Sequence, residues 1–240
     1  MRSEDRRTLL FAAGVCVVCS LLLSTAAATL RGRQERMAEL ARRLNVLRAF
    51  GAEVDDDRGR RLPWEDIGAL FDARVEDFFV DAATGEPVEA APGVDAAERV
   101  ERGDWLPLYR WREDGVVTRV AFPVGGPGLW GPVRGYLAIE NDGVTIAGIT
   151  FYEHQETPGL GAEIETERFQ ERFRGRTIRA DGALQRVVIV KGAVRDRYPD
   201  GNPHAVDGIS GATRTGEAVT EFLNEDIARY DVFLRRLREP

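Results

Sequence analysis

The sequence predicts an α+β protein: a single N-terminal transmembrane helix followed by a soluble domain in which an antiparallel β-sheet is flanked by helices. Three observations carry this. Residues 9–30 are an uncharged run of twenty-two residues. Four apolar runs between residues 105 and 154 are joined by turns, two of which end in Asp-Gly, the signal of an antiparallel hairpin. Apolar residues at helical spacing then mark a long C-terminal helix.

The chain has 240 residues, 43% hydrophobic and 30% charged, enough to bury a core. Its formal charge of -7 is uneven: residues 1–50 carry nine Arg against four acids, +5, so the remainder holds -12. An acidic soluble part argues against nucleic acid as a partner. The basic residues flank the apolar run, where they meet lipid headgroups.

That run, "LLFAAGVCVVCSLLLSTAAATL", spans about 33 Å as a helix, the thickness of a bilayer core. The competing reading is a secretory signal, with Arg2, Arg6 and Arg7 at its start and an A-x-A pattern at Ala26 to Ala28. The retained helix is favoured, because "RGRQERMAELARRLNVLRAF" continues it with Met37, Leu40, Leu44 and Leu47 on one face and Gly51 as its stop. Residues 1–8 are thus a tail and 9–30 the span. Three Arg before the span and six after it would, by the positive-inside tendency, leave the large domain in the cytoplasm. Cys16 and Cys19 share a helix face and read as small packing residues. With only His154 and His204 besides, a metal site is not expected.

Ile67, Leu70, Phe71, Val75, Phe78 and Phe79 recur at helical spacing and predict a short helix. The acidic link "ATGEPVEAAPGVDAAE" then divides a helical linker and N-terminal subregion, 31–95, from the rest, 96–240. Strands are expected at "WLPLYRW", "VVTRVAFPV", "YLAIE" and "VTIAGITFYEH", with a glycine-proline loop "GGPGLWGPVRG" between the second and third. "EIETERFQERFRG" reads as a helix stopped at Gly175 and "GALQRVVIVKG" as a further strand. Val219, Phe222, Leu223, Ile227, Tyr230, Phe233, Leu234 and Leu237 mark the last helix.

Directly before it stands "VDGISGATRTGEAV", residues 206–219. Thr213 falls at or just before the helix start, where free N–H groups and the dipole favour an anion such as a phosphate. The plainer reading is that Ser210 or Thr213 caps the helix. Two further glycine-rich loops, "HQETPGLGAEIE" and "GPGLWGP", let backbone approach a flat ligand, and Trp130, Leu160 or Tyr152 could cover a ring face. Composition alone favours core packing for Trp130 and a tight turn for Gly159 and Gly161.

These stretches carry a family resemblance. "DGISGAT", Asp207 to Thr213, resembles the motif read by a flavin transferase, and "ETPGLG" and "GLW" resemble companion signatures of the same FMN-binding domain. With "GYLAIENDGVTIAGITFYEHQETPGLGAEI" and "VCSLLLSTAAATLRGRQ", the chain resembles the C subunits of sodium-translocating NADH:quinone reductases, least across residues 51–120. The resemblance implies FMN as cofactor, attached through its phosphate to Thr213 by a separate Mg-dependent transferase that uses FAD and releases AMP. Asp207, Ser210, Gly211 and Ala212 then surround the attachment, and Thr157, Gly159, Leu160 and Trp130 lie toward the flavin.

The resemblance further implies the other subunits of the complex as partners, with lipid around the anchor. Electrons would be relayed toward ubiquinone, coupled to sodium transport. It places the chain in the bacterial inner membrane with its soluble domain in the periplasm, against the Arg count, since long exported domains cross regardless of that count. No nicotinamide-binding G-x-G-x-x-G motif is expected in the chain, so NADH is expected to react on another subunit. Arg214, where relatives commonly carry an apolar residue, offers a charge to the phosphate. Two other readings stay open: the equivalent FMN subunit of an Rnf-type complex, and a non-redox membrane-anchored binding module in which residues 206–219 are only a capped helix.

Overall fold

The computed structural model describes residues 3–89 and 94–238. Helix α1 (Ser3–Ala49) runs unbroken through the expected span and its extension. Its apolar stretch has a mean hydropathy of 2.1, and by length and composition it can cross a membrane. Residues up to 42 form one unit, in which Cys16 and Cys19 are exposed, and residues from 43 onward form another. The helix ends where the glycine predicts. Gly51 takes φ of 75°, its N–H donates to the Arg48 carbonyl, and the Ala52 N–H donates to that of Leu47. These are the paired bonds that close a helix around a left-handed residue.

The second unit continues with α2 (Trp64–Arg74), β1 (Val75–Asp81), β2 (Pro87–Val88), α3 (Ala96–Glu101), β3 (Trp105–Glu113), β4 (Val116–Pro127), β5 (Pro132–Glu140) and β6 (Ile146–Glu153). The six strands form one sheet in the order β2-β1-β3-β4-β5-β6, every pair antiparallel. The helix expected within residues 62–81 is a helix only from Trp64 to Arg74. At Val75 the backbone turns extended, φ -114° and ψ 131°, and Val75, Phe78 and Phe79 pair with β3 instead. A β-branched and aromatic run suits a strand once a neighbour is there to pack on. Because β1 and β3 are hydrogen-bonded neighbours, the expected boundary near residue 95 falls inside a single sheet.

The glycine-proline loop is also shorter than its sequence suggests. Gly125 to Pro127 extend β4 and Pro132 to Gly135 open β5, leaving residues 128–131 as the turn. Gly126, Gly128 and Gly131 have the G-x-G-x-x-G spacing. Here it closes a hairpin, whereas a dinucleotide fingerprint leads from a parallel strand into a helix.

Beyond β6 come a 3₁₀ turn (Gly161–Glu165), α4 (Glu167–Gln170), a second 3₁₀ turn (Glu171–Phe173), β7 (Arg179–Ala180), β8 (Ala183–Leu184), β9 (Val188–Ile189), α5 (Val194–Arg197), β10 (Ala205–Val206), α6 (Thr213–Arg229) and α7 (Asp231–Arg236). The single helix expected over 163–175 is broken at Thr166. That residue is extended, and its hydroxyl donates to the Glu163 carbonyl at 2.7 Å. The break lets Phe169 and Phe173 both reach the core against Phe151. The expected strand around 183–191 is reduced to β8 and β9, outside the main sheet. Side chains of α6 take its backbone groups: Asn224 accepts from Val187 N–H at 2.9 Å, and the Thr220 hydroxyl accepts from Ile189 N–H at 3.1 Å. The long C-terminal helix is likewise divided at Tyr230.

Alternation along the strands gives the sheet two buried faces. Val120, Phe122, Leu137 and Ile139 pack with Phe222, Leu223 and Ile227 of α6. Tyr109, Trp111, Ala121, Tyr136 and Ala138 pack with Leu44, Leu47 and Phe50 from the end of α1 and with Ile67 and Phe71 of α2.

Candidate functional site

Helix α6 starts without a side-chain cap. Its N-cap is Ala212, buried and with no side-chain capping bond, so neither Ser210 nor Thr213 plays the plainer role. Thr213 is the first helical residue and is exposed, as are Ser210 and Gly211. The orphan N–H groups of a first turn and the helix dipole therefore lie beside an accessible hydroxyl. The loop before it is held from behind. Arg172 donates to the carbonyls of Asp207 and Gly208 at 3.0 and 2.9 Å, and the Asp207 carboxylate accepts from Val194 N–H at 2.6 Å. Asp207 thus shapes the motif rather than lining the space at Thr213.

Gly211 has φ of 77°, and a Cβ there would lie 2.7 Å from Leu160 Cδ2. This close approach seats the "ETPGLG" loop on the 207–213 loop. Within that loop the N–H groups of Leu160 and Ala162 both donate to the Thr157 carbonyl at 3.1 Å, and Gly159 takes φ of 72°. A turn and an open face coexist, because Thr157, Gly159 and Leu160 are all exposed.

Sequence reasoning missed Glu156. Its carboxylate is 5% exposed. One oxygen accepts from the N–H groups of Leu129 and Trp130 at 2.7 and 3.3 Å, and the other accepts from the Thr215 hydroxyl at 2.6 Å. A single buried carboxylate thereby ties the β4–β5 turn, the "ETPGLG" loop and the first turn of α6 together. Trp130 is not a core residue: it is 65% exposed, with Leu129 beside it and Leu160 at 42%. Solvent-facing apolar side chains gathered on glycine-rich loops form a surface that a flat ring can cover.

On the 207–213 loop and the start of α6, Thr213, Ala212, Gly208 and Ile209 line a cavity of about 270 Å³ shared with Lys191, Arg186 and Arg197. Lys191 is the chain's single lysine. Arg186 is engaged with Glu221 at 2.5 Å. Arg214, the cation expected at the phosphate, does not itself line the cavity but pairs at 3.4 Å with Glu217, which lines it together with Glu221. Trp130, Thr157 and Leu160 do not line this cavity, so the candidate residues form two adjoining parts that meet at residues 208–213.

Fold and site together define a protein of the FMN-binding domain class, carried behind an apolar N-terminal helix: residues 128–228 match the family model described as FMN-binding domain. The C subunit of the Na(+)-translocating NADH-quinone reductase of Yersinia pestis is 32% identical over 97% of this chain and 93% of its own length. That of Pseudomonas aeruginosa is 33% identical over 99% and 98%. The crystal structure of its counterpart from Parabacteroides distasonis superimposes with a TM-score of 0.69 at 30% identity, covering 85% of this chain and 96% of that one. The chain belongs to the family of Na(+)-translocating NADH-quinone reductase C subunits. An uncapped helix start, an accessible hydroxyl, an adjacent lysine and an apolar glycine-rich surface fit a flavin with a phosphate tail.

Proposed function

We propose that this chain is the membrane-anchored flavoprotein subunit through which a sodium-pumping NADH:ubiquinone oxidoreductase relays electrons, with FMN joined by a phosphoester bond to Thr213. The observation that carries the reading is the convergence of three loops on an uncapped α6 start whose first residue is an exposed threonine. Family membership supports the same cofactor and the same multisubunit setting.

Attachment is a substitution at phosphorus. The Thr213 Oγ attacks the flavin-side phosphorus of FAD, the P–O bond to AMP breaks, AMP leaves, and the hydroxyl proton passes to a base of the Mg-dependent transferase. No electron is gained or lost. The diester keeps one negative charge, which the first-turn N–H groups and Lys191 stabilise. Ser210, Gly211 and Ala212 leave room for the modifying enzyme, and Thr157, Gly159, Leu160 and Trp130 supply the ring-facing surface. Bound FMN supplies one- and two-electron redox chemistry. NADH oxidation and sodium movement belong to other subunits in this reading, with residues 9–30 in the inner membrane and residues 96–240 carrying the FMN site in the periplasm.

The test is intact mass after denaturation, with the chain co-produced with a flavin transferase. Wild type gains one FMN less a water, and Thr213→Val gains none. If neither gains flavin while a known acceptor is modified in the same cells, the reading as a non-redox membrane-anchored binding module replaces this one.

A further inference from the structure

Glu156 sits in a place built for an acceptor. Its three partners, Leu129 N–H, Trp130 N–H and the Thr215 hydroxyl, are all donors to the two carboxylate oxygens. Two glycines clear the space around it. A Cβ on Gly128 would lie 2.6 Å from one oxygen, and a Cβ on Gly161 would lie 2.6 Å from both the other oxygen and the Thr215 Oγ. The loop is anchored from behind as well, because Glu156 N–H donates to His154 Nδ1 at 3.3 Å while His154 Nε2 meets Glu165 at 3.2 Å.

A buried carboxylate is retained at a cost unless its hydrogen bonds are complete. Here they join elements far apart in sequence: the β4–β5 turn and the first turn of α6 touch the same group. We infer that Glu156 is a positioning residue for flavin attachment, an inference that rests on Thr213 as the acceptor. By holding Thr215, two residues after Thr213, it fixes the first turn of α6. By holding Leu129 and Trp130 it fixes the ring-facing turn relative to the same hydroxyl. Attack of Thr213 Oγ on phosphorus, with AMP as leaving group, needs both the chain and the flavin in one arrangement. Misplacement by about 1 Å can cost a reaction about a hundredfold.

The experiment uses the full chain in detergent with FAD, Mg²⁺ and a purified flavin transferase. It reads the initial rate of flavin gain and the ¹⁹F resonance of 5-fluorotryptophan at position 130 before modification, assigned with Trp130→Phe. Glu156→Ala is expected to slow attachment at least about tenfold and to shift the Trp130 resonance. Thr215→Val cuts only one arm, so it slows attachment and leaves that resonance in place, and Thr215→Ser restores the rate. Glu156→Gln, which keeps the shape and loses the charge, falls between. A general loss of stability would not separate the two readouts in this way. If Glu156→Ala fails to fold, the Thr215→Val and Thr215→Ser pair decides. Wild-type rates in Thr215→Val, or in a folded Glu156→Ala, overturn the positioning role while leaving Thr213 as acceptor. Absence of flavin on wild type overturns both.

Discussion

The ladder between β3 and β4 ends with Tyr109 opposite Ala121, two residues from Pro107 on one strand and two from Pro123 on the other. Neither proline has an N–H to donate, so the strands part while β3 stays paired to β1 and β4 to β5. Residues at the end of α6 and just after it take up groups here: the Tyr230 hydroxyl donates to the Pro107 carbonyl at 3.0 Å, and Asp226 accepts from Gly125 N–H at 2.8 Å. Asp226→Ala would leave a half-buried N–H without a partner. The expected loss is about 1–3 kcal/mol, measured by equilibrium denaturation of the full chain.

The same carboxylate predicts a pH dependence. Burial raises the Asp226 pKa above its ordinary value, more than the Gly125 N–H and Arg229 lower it, with Glu225 adding to the rise. A carboxyl whose pKa is higher folded than unfolded holds its proton more tightly in the fold, so it disfavours the fold increasingly as pH climbs from the unfolded to the folded value. Glu76 has the opposite sign: its hydrogen bond to Arg112 lowers its pKa, giving stability that is lost as pH falls. Asp226→Asn keeps an acceptor for Gly125 and cannot ionise. Relative to wild type it should therefore gain stability between acid and neutral pH. A parallel pair of thermal-midpoint curves against pH would contradict this.

Gly211 joins two needs in one residue, a left-handed φ and a space filled by Leu160. Gly211→Ala should destabilise by about 1 kcal/mol or more and slow flavin attachment. Adding Leu160→Ala removes the clash but not the backbone strain, so stability should recover only in part. Full recovery in the double variant would mean that φ at 211 is not constrained.

How far the sequence foretold this molecule depends on which forces decide each part. Strands β3 to β6 were legible because their turns and apolar runs are local signals, and Asp114 and Gly115 do take positive φ. The break at Thr166 and the placement of β9 outside the main sheet, paired with β10, were not, since the second also depends on Thr220 and Asn224 reaching backbone from a helix about thirty residues away. Residues 207–213 were legible as a signature of the family. Glu156 was not, because a buried acid looks like a surface acid in one sequence. Its signal lay in the glycines at 128 and 161, whose missing side chains make its room, and Lys191 could have been noticed as the single lysine of an acidic domain.

Lys191 shares the Thr213 cavity, and a cation there should favour a phosphoryl group arriving at the hydroxyl. Lys191→Ala is expected to slow flavin attachment about fivefold to tenfold, corresponding to about 1 kcal/mol. Added salt should narrow the gap between variant and wild type, because screening weakens the lysine's contribution in a cavity open to solvent. An unchanged rate at low salt would remove Lys191 from the site.

Arg179 and Asp231 form a buried ion pair where α7 begins, with Arg179 also donating to the Gly182 carbonyl and its Nε lacking a partner among the described residues. Asp231 is further paired with Arg235, whose side chain is exposed. Asp231→Ala leaves the Arg179 charge buried with only the Gly182 carbonyl, a loss of about 3–5 kcal/mol for pairs of this kind, whereas apolar replacement of both is often neutral. Asp231→Ala should therefore lower the thermal midpoint sharply, and Arg179→Met combined with Asp231→Leu should recover most of the loss. If the double variant is no more stable than Asp231→Ala, the pair contributes through the geometry it imposes on α7. In that case packing of Phe233 and Leu234 would fail together with it.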